Sequence, residues 1–123
     1  MSLSLFQTFS FFSQVFNNWI GVKDEVLSSV MELIEMLQNA SLMIDDIEDA
    51  SELRRGLPCA HLVYGVPSTI NSANYYYFLA LQKLVQISPP EKLPELMAIF
   101  LGGVLRLHEV SQRRSESAIR TKV

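Results

Sequence analysis

Cysteine, histidine and long apolar runs are scarce in this 123-residue chain, and each scarcity excludes a class of function. Cys59 is the only cysteine, which excludes an internal disulfide and favours a reducing, cytoplasmic compartment. The two histidines, His61 and His108, are not spaced to share a zinc ion with each other or with Cys59. No run approaches about 18 uninterrupted apolar residues, so the sequence predicts no transmembrane helix.

An excess of basic charge and a glycine-rich phosphate loop are lacking as well. Lys and Arg number 10 against 13 Asp and Glu, which gives a net charge of −3 and a pI near 5.3 and argues against general nucleic-acid binding. No Ser–His–Asp arrangement or internal repeat is visible. Hydrophobic residues nevertheless make up 49% of the chain and the mean hydropathy is +0.20, so we expect apolar surface to remain exposed.

The acidic charge that is present is concentrated in one segment, Asp45-Asp46-Ile47-Glu48-Asp49, which Arg54-Arg55-Gly56 follows closely. Like charges one helical turn apart repel by a few tenths of a kcal/mol, so a cationic partner is expected. Carboxylates suit Mg²⁺, which shares its remaining positions with waters and substrate phosphates, and arginines bind phosphate oxygens in bidentate fashion. The pattern indicates a diphosphate site bridged by metal; a solvated acidic face with ordinary ionic partners is the alternative.

The residues before the acidic segment predict a helix from about Glu25 to Asp49, with Asp24 as its N-cap. This helix places Asp45 and Asp49 four residues apart on one face, with Asp46 about 100° away. Small and apolar residues recur at the spacing of one helix face: Val30, Leu33, Ile34, Leu37, Ala40, Ser41 and Ile44.

The segment from Glu35 to Pro58 resembles the first aspartate-rich region of the trans-prenyl diphosphate synthase family, in particular that of the animal geranylgeranyl diphosphate synthases. The resemblance implies an all-α fold, here a partial isoprenoid-synthase-type helical bundle. It also implies a prenyltransferase, which condenses isopentenyl diphosphate with an allylic diphosphate (farnesyl diphosphate) in a Mg²⁺-dependent step of isoprenoid biosynthesis. The likeness covers about residues 13–108 and includes further motifs: Ser13-Gln14, Phe16-Asn17, Trp19, His61, Tyr64-Gly65, Pro67-Ser68 and Ile70-Asn71-Ser72-Ala73-Asn74-Tyr75.

Carried over position by position, the resemblance implies catalytic and metal-binding roles for the carboxylates. Asp45 and Asp49 are expected to bind Mg²⁺ directly, with Asp46 in support. Arg54 is expected to hold the allylic diphosphate, and Arg55 to contact isopentenyl diphosphate. Metal and arginines aimed at the leaving diphosphate stabilise the charge that accumulates there as an allylic cation forms.

The resemblance also implies roles for residues that precede the carboxylates on the same helix. Gln38 is expected to contact isopentenyl diphosphate. Ala40 and Ser41 are expected to line the chain-length pocket, where the fifteen-carbon branch of the family carries aromatic rings. Small side chains leave the pocket open, so a twenty-carbon product is expected. One of the tyrosines from Tyr75 to Tyr77 is an alternative floor, although such a triplet more often packs in a core.

A second aspartate-rich segment and a Gly-Lys-x-x-Arg motif, which the family's full site uses, are missing. Together with the short length, this predicts a truncated, inactive form: a fragment, a splice product or a truncated gene. The alternative is a non-catalytic helical interaction module that pairs with a full-length synthase subunit, since complete family members typically form homo-oligomers. After Asp49 the acidic residues are isolated ones: Glu52, Glu91, Glu95, Glu109 and Glu116.

The sequence predicts three segments: residues 1–12, which match nothing in the family, a partial synthase domain over 13–110, and a basic, disordered tail over 111–123. The first segment carries no charge and therefore lacks the basic start of a secretory signal. Within the domain, a loop is predicted over 56–68. Two later helices are predicted, from Asn71 or Ser72 to about residue 85 and from about residue 93 to 110.

Overall fold

The computed structural model describes residues 13–15, 17, 18 and 20–121, and most of this part of the chain is helical. The prediction of an all-α fold is confirmed, with one minimal hairpin added. The elements, in chain order, are α1 (Asp24–Glu48), β1 (Leu53–Arg54), β2 (Leu57–Pro58), α2 (Ala60–Tyr64), α3 (Val66–Ile87) and α4 (Leu93–Thr121).

Helix α1 begins one residue earlier than the sequence predicts. Lys23 is the N-cap and Asp24 is the first helical residue, where its carboxylate interacts favourably with the positive end of the helix dipole. Residues 13–15, 17, 18 and 20 are also helical. Asn17 joins this stretch to α1, because its side-chain amide donates to the carbonyl of Val22 at 2.8 Å and accepts from the Val22 N–H at 2.9 Å.

The core lies between α1 and α3, which form the most extensive helix pair. Leu33 on α1 packs with Ala80 and Leu84 on α3, and all three are buried. Part of the predicted apolar face of α1 is wrong, since Val30 is exposed while Met31 is buried. The partly buried side chains packed around the core are Met36, Leu37, Leu81, Leu96, Met97 and Phe100.

Helix α3 begins at Val66, and not at residue 71 or 72 as the sequence predicts. Pro67 is compatible with this start, because proline is tolerated in the first helical turn, where its missing N–H has no partner to lose. Thr69 strengthens the same turn by donating from Oγ1 to the carbonyl of Gly65 at 2.9 Å. The predicted loop over 56–68 is therefore replaced by β2, α2 and the start of α3.

Helix α4 continues to Thr121, whereas the composition predicts an end near residue 110 followed by a disordered tail. The difference has a physical reason, since Ser111, Arg114 and Ser115 bond to acidic side chains of α1. The predicted unmatched segment 1–12 lies outside the described residues. Within the part of the chain that the structure describes, no helix has the length and apolar character needed to cross a bilayer.

We expect Leu84→Ala to lower the free energy of unfolding by about 2–4 kcal/mol, because it removes buried contacts and leaves a cavity between α1 and α3. Urea denaturation followed by circular dichroism measures the change. Leu105→Ala is the matched control; Leu105 is 62% exposed, so its loss is expected to cost no more than about 0.5 kcal/mol. Equal losses in the two variants contradict the assignment of this core.

Candidate diphosphate and metal site

The site begins where α1 ends. Ala50 adopts a left-handed φ of +51°. The N–H of Ser51 donates to the carbonyl of Asp46 at 2.9 Å, and the N–H of Ala50 donates to the carbonyl of Ile47 at 3.2 Å. These two bonds form a Schellman motif, which satisfies carbonyls at the helix end and reverses the chain. The residues after the acidic segment are thereby directed back along α1.

The hairpin that follows returns Arg54 to the helix. Arg55 and Gly56 connect β1 and β2 with φ values of +52° and +78°, the two positive values that a type I′ turn requires. From this hairpin, Arg54 donates from Nε to Oδ2 of Asp46 at 2.7 Å and from Nη2 to Oδ1 at 2.5 Å. The bidentate geometry is the strongest form of an arginine–carboxylate pair.

Asp46 is held as a buried carboxylate by this pair. Its exposure is only 4%, and the hydrogen bonds from Arg54 hold the pKa of Asp46 below its usual range, against the opposing effect of burial. The same bonds raise the pKa of Arg54. The neighbouring Cys59 is also buried, and burial together with the Asp46 carboxylate raises the pKa of its thiol.

Asp45 and Asp49 face a different cation, Arg114 of α4. A single guanidinium nitrogen, Nη2, lies 2.9 Å from Oδ1 of Asp45 and 3.3 Å from Oδ2 of Asp49. The two carboxylates therefore converge on one point, as their spacing of four residues predicts. Two side chains one turn apart create a position suited to a small cation.

Two serine hydroxyls of α4 complete the contacts around this point. Ser111 Oγ lies 2.9 Å from Oδ1 of Asp45 and 2.7 Å from Oε2 of Glu48. Ser115 Oγ donates to the same Glu48 oxygen at 3.1 Å. Every carboxylate of the acidic segment thus has a hydrogen-bonding or ionic partner, and the partners come from β1 and α4.

The three aspartates do not converge as one group of ligands. Asp46 bonds to Arg54, about 100° around the helix from Asp45, and the described residues contain no cluster of three His, Cys, Asp or Glu side chains that could hold a metal ion. Asp45 and Asp49 still fit Mg²⁺ as a pair, because this ion accepts one or two carboxylates and fills its other positions with water and phosphate oxygens.

An apolar cavity of about 400 Å³ opens beside Asp45 and Glu48. Its apolar wall comes from three helices, through Ile44 on α1, Tyr77 on α3 and Leu107 on α4. The centres of the Tyr77 and His108 rings lie 5.2 Å apart. Burial, reinforced by the carboxylates of Asp45 and Glu48, raises the pKa of Tyr77. Of the tyrosine triplet, Tyr77 therefore lines this cavity, while Tyr75 is exposed.

A second cavity, of about 260 Å³, continues along the same face of α1. Its lining includes Ile34 and Leu37, and it shares Ser41 and Leu107 with the first cavity. From residue 34 to residue 48 the two cavities follow about 20 Å of helix. An elongated apolar group therefore has room along α1, starting at the carboxylates.

Ala40 and Ser41, the predicted chain-length residues, are placed differently. Ser41 lines both cavities, and its hydroxyl is satisfied by the carbonyl of Gln38 at 2.9 Å. Ala40 has 0% exposure, so it has no surface facing either cavity. Ala40 is thus enclosed in helix packing in this structure, and its role in a chain-length pocket stays a prediction.

Gln38 and Arg55, the predicted contacts for isopentenyl diphosphate, are not brought together. Gln38 lines the second apolar cavity, whereas Arg55 lines a separate cavity of about 420 Å³ with Arg54, Asn39 and Tyr76. Arg55 is exposed in its turn, and no carboxylate of the described residues lies within ion-pair distance of it. The paired arginines therefore line a cavity on the Asp46 side of α1.

Sequence reasoning missed Ser111, Arg114 and Ser115. Their spacing of three and four residues is that of one helix face, and this signal is readable once α4 is extended past residue 110. The basic composition of the segment concealed it, because charged, weakly apolar sequence is typical of disorder.

Comparison with known proteins identifies the class. A family model described as polyprenyl synthetase matches residues 9–113, and the chain belongs to this family. Over 93 residues the chain is 47% identical to a geranylgeranyl pyrophosphate synthase of Mucor circinelloides f. lusitanicus. The matched stretch covers 76% of this chain and 29% of the relative. The resemblance predicted from the sequence is confirmed.

Two further relatives give the same picture. The geranylgeranyl pyrophosphate synthase olcC of Penicillium canescens is 49% identical over 94 residues, which is 76% of this chain and 27% of the relative. A protein of Matsumurasca onukii named terpene synthase is 46% identical over 96 residues, which is 78% of this chain and 30% of the relative. The chain spans less than a third of the length of these relatives.

The Asp46–Arg54 pair predicts a specific pH dependence of stability. Because the folded pKa of Asp46 is lowered, the pair stabilises the fold above the ordinary aspartate pKa of 3.8, and this contribution is lost as the pH falls through the lower folded value. At about pH 7 we expect Asp46→Asn to be less stable by about 1–2 kcal/mol, in the lower range for charged hydrogen bonds because Arg54 is partly solvated.

Urea unfolding of both proteins from about pH 7 to pH 3 is the measurement. The difference between them is expected to shrink below about pH 4. Asp24→Asn, at the exposed start of α1, serves as the matched control. A difference that stays constant over the whole range contradicts the pairing.

Proposed function

We propose that this chain carries one half of a prenyl diphosphate synthase site, in which Asp45 and Asp49 hold Mg²⁺ against the diphosphate of an allylic substrate. One observation carries the proposal: the two carboxylates converge on a single cationic nitrogen, and one of them, Asp45, lines an apolar cavity. The family membership and the geranylgeranyl pyrophosphate synthases among the relatives support it.

The side chains have distinct tasks in this proposal. When bound, Mg²⁺ supplies positive charge to the oxygens of the departing diphosphate. Arg54 uses Nε and Nη2 for Asp46, which leaves Nη1 to donate to a phosphate oxygen from a guanidinium that is 38% exposed. Asp46 is then a positioning residue that fixes the plane of Arg54. Arg55 adds a second, exposed guanidinium for the diphosphate of isopentenyl diphosphate.

The apolar cavities have the task of holding the prenyl chain away from water. An allylic cation is destroyed by water, so Ile44, Tyr77 and Leu107 protect it by excluding solvent below the carboxylates. Ser41 is small, half-buried and common to the lining of both cavities, so we expect it to leave a passage between them open. With farnesyl diphosphate as the allylic substrate, the product is the twenty-carbon geranylgeranyl diphosphate.

A helical interaction module is the second candidate function. Large apolar side chains lie exposed on α3 and α4, among them Phe78 at 70%, Ile99 at 66% and Val110 at 66%. Such a surface is suited to another subunit of the family, and pairing with it needs no metal at this chain's own carboxylates. The binding experiment that follows separates the two functions, because the module requires no linkage between Mg²⁺ and diphosphate.

We expect Mg²⁺ to bind the purified chain with about millimolar affinity, and to bind more tightly when inorganic pyrophosphate is present, because phosphate oxygens complete the coordination. Isothermal titration calorimetry measures both affinities. The double variant Asp45→Asn with Asp49→Asn is expected to weaken Mg²⁺ binding at least about tenfold. Asp24→Asn is the control on the same helix. Binding that is independent of pyrophosphate favours the interaction module.

Product length is tested in a graft of residues 13–108 onto the remaining parts of a related synthase. Ser41→Phe is expected to shorten the product from twenty to fifteen carbons, because a ring at this position blocks the passage between the cavities. Ser28→Phe, the same change at an exposed position near the start of α1, is expected to leave the product unchanged. Chromatography of the products is the readout, and unchanged lengths in Ser41→Phe place the floor elsewhere.

A further inference from the structure

The end of α4 lies directly on the carboxylates that the proposed function assigns to the metal. We call residues 111–115 the cover. Within it, Arg114 bridges Asp45 and Asp49 through one nitrogen, and Ser111 contacts Asp45 across 66 residues of sequence. These are tertiary contacts between two helices, and they differ from the local charge pairs of a solvated helix surface.

The cover uses the same oxygens that a divalent ion needs. The Arg114 guanidinium lies between Oδ1 of Asp45 and Oδ2 of Asp49, so it occupies the position where their negative potential is strongest. A permanently charged guanidinium and a metal ion cannot hold that position together. Ser111 and Ser115 also line the apolar cavity, so the cover forms part of its wall.

The contacts of the cover are of the kind that a ligand can displace. The side chain of Arg114 is 50% exposed, and those of Asp45 and Asp49 are 25% and 44% exposed. Ion pairs that are this accessible to water are individually weak. The buried pair between Asp46 and Arg54 is, by contrast, shielded on the carboxylate side at 6% exposure and remains in place when the cover leaves.

We propose that residues 111–115 form a built-in cationic cover, in which Arg114 neutralises Asp45 and Asp49 and is released when Mg²⁺ and a diphosphate bind. The inference rests on the proposed function of Asp45 and Asp49. In this proposal the closed cover competes with the metal ion. The apparent association constant for the metal therefore equals the intrinsic constant multiplied by the fraction of chains in which the cover is open. Release also uncovers the cavity for the prenyl chain.

Thermodynamic linkage makes the effect measurable in both directions. If opening the cover tightens metal binding, metal and diphosphate must open the cover by the same factor. The chain offers a direct probe, because trypsin cleaves after arginine and the cover contains Arg113 and Arg114. Faster cleavage at Arg113 in the presence of Mg²⁺ and inorganic pyrophosphate reports release.

The first readout is the Mg²⁺ affinity of the 123-residue chain, measured by calorimetry with Mg²⁺ as the only ligand. Arg114→Gln is expected to bind about fivefold more tightly than the unmodified chain, the effect of losing two half-exposed ion pairs. Arg113→Gln is the matched control. It removes the same charge one residue away, at an exposed position from which no ion pair to a described carboxylate is formed, and its affinity is expected to stay unchanged.

Ser111→Ala with Ser115→Ala is a second variant that keeps every charge. It removes the hydroxyl contacts to Asp45 and Glu48 and is expected to tighten Mg²⁺ binding about twofold. Circular dichroism of each variant verifies that the helices persist. Because this variant alters neither arginine, it tests the cover even if Arg114→Gln reduces the helix content of α4.

The outcomes separate this inference from the proposed function. Tighter Mg²⁺ binding in Arg114→Gln and in the double serine variant, but not in Arg113→Gln, supports the cover when it is accompanied by faster cleavage at Arg113 on addition of Mg²⁺ and pyrophosphate. Equal Mg²⁺ affinity in all four proteins, or cleavage that does not respond to these ligands, overturns the cover and leaves the metal site standing. Absence of Mg²⁺ binding in all four overturns the metal site and with it the competition.

Discussion

Mutual repulsion among four carboxylates at the end of α1 is the constraint on which the rest of the site depends. The segment lies at the negative end of the helix dipole, and the last turn of α1 contains no basic residue. Neutralising cations must therefore come from other elements. The hairpin supplies Arg54 and α4 supplies Arg114, so the left-handed turn at Ala50, the type I′ turn and the length of α4 all serve the same electrostatic need.

Helix α1 separates two environments because successive residues point about 100° apart. Asp45 and Asp49 share the half-exposed guanidinium of Arg114, and Asp45 also lines an apolar cavity, while Asp46 is buried against Arg54. One carboxylate thus holds an arginine in place, and in the proposed function the other two bind an exchangeable ion. This division explains the run of adjacent acids. Because neighbouring helical positions point to different faces, a short acidic segment can place carboxylates on both faces.

Local pattern was sufficient to predict α1, the pairing of Asp45 with Asp49 and the proximity of Arg54, because each depends on spacing along one helix or on a short connection. It did not reveal that Ala40 is fully buried, because burial depends on tertiary packing. The start of α3 was missed because residues 56–68 were predicted to form a loop, although the first helical turn accepts Pro67. The continuation of α4 depends on contacts 63 to 67 residues away in sequence, which composition does not reveal.

The burial of Cys59 next to the Asp46–Arg54 pair gives the chain an internal chemical reporter. Its exposure is 1%, and a buried thiol with a raised pKa is a poor nucleophile, since the thiolate is the reactive form. Cys59 follows β2, its N–H donates to the carbonyl of Glu52 at 3.0 Å, and its sulfur is buried, so alkylating reagents reach it only after this part of the structure opens. Because the chain has no other cysteine, the rate at which its mass increases in such a reagent reports how often the surroundings of the Asp46–Arg54 pair open.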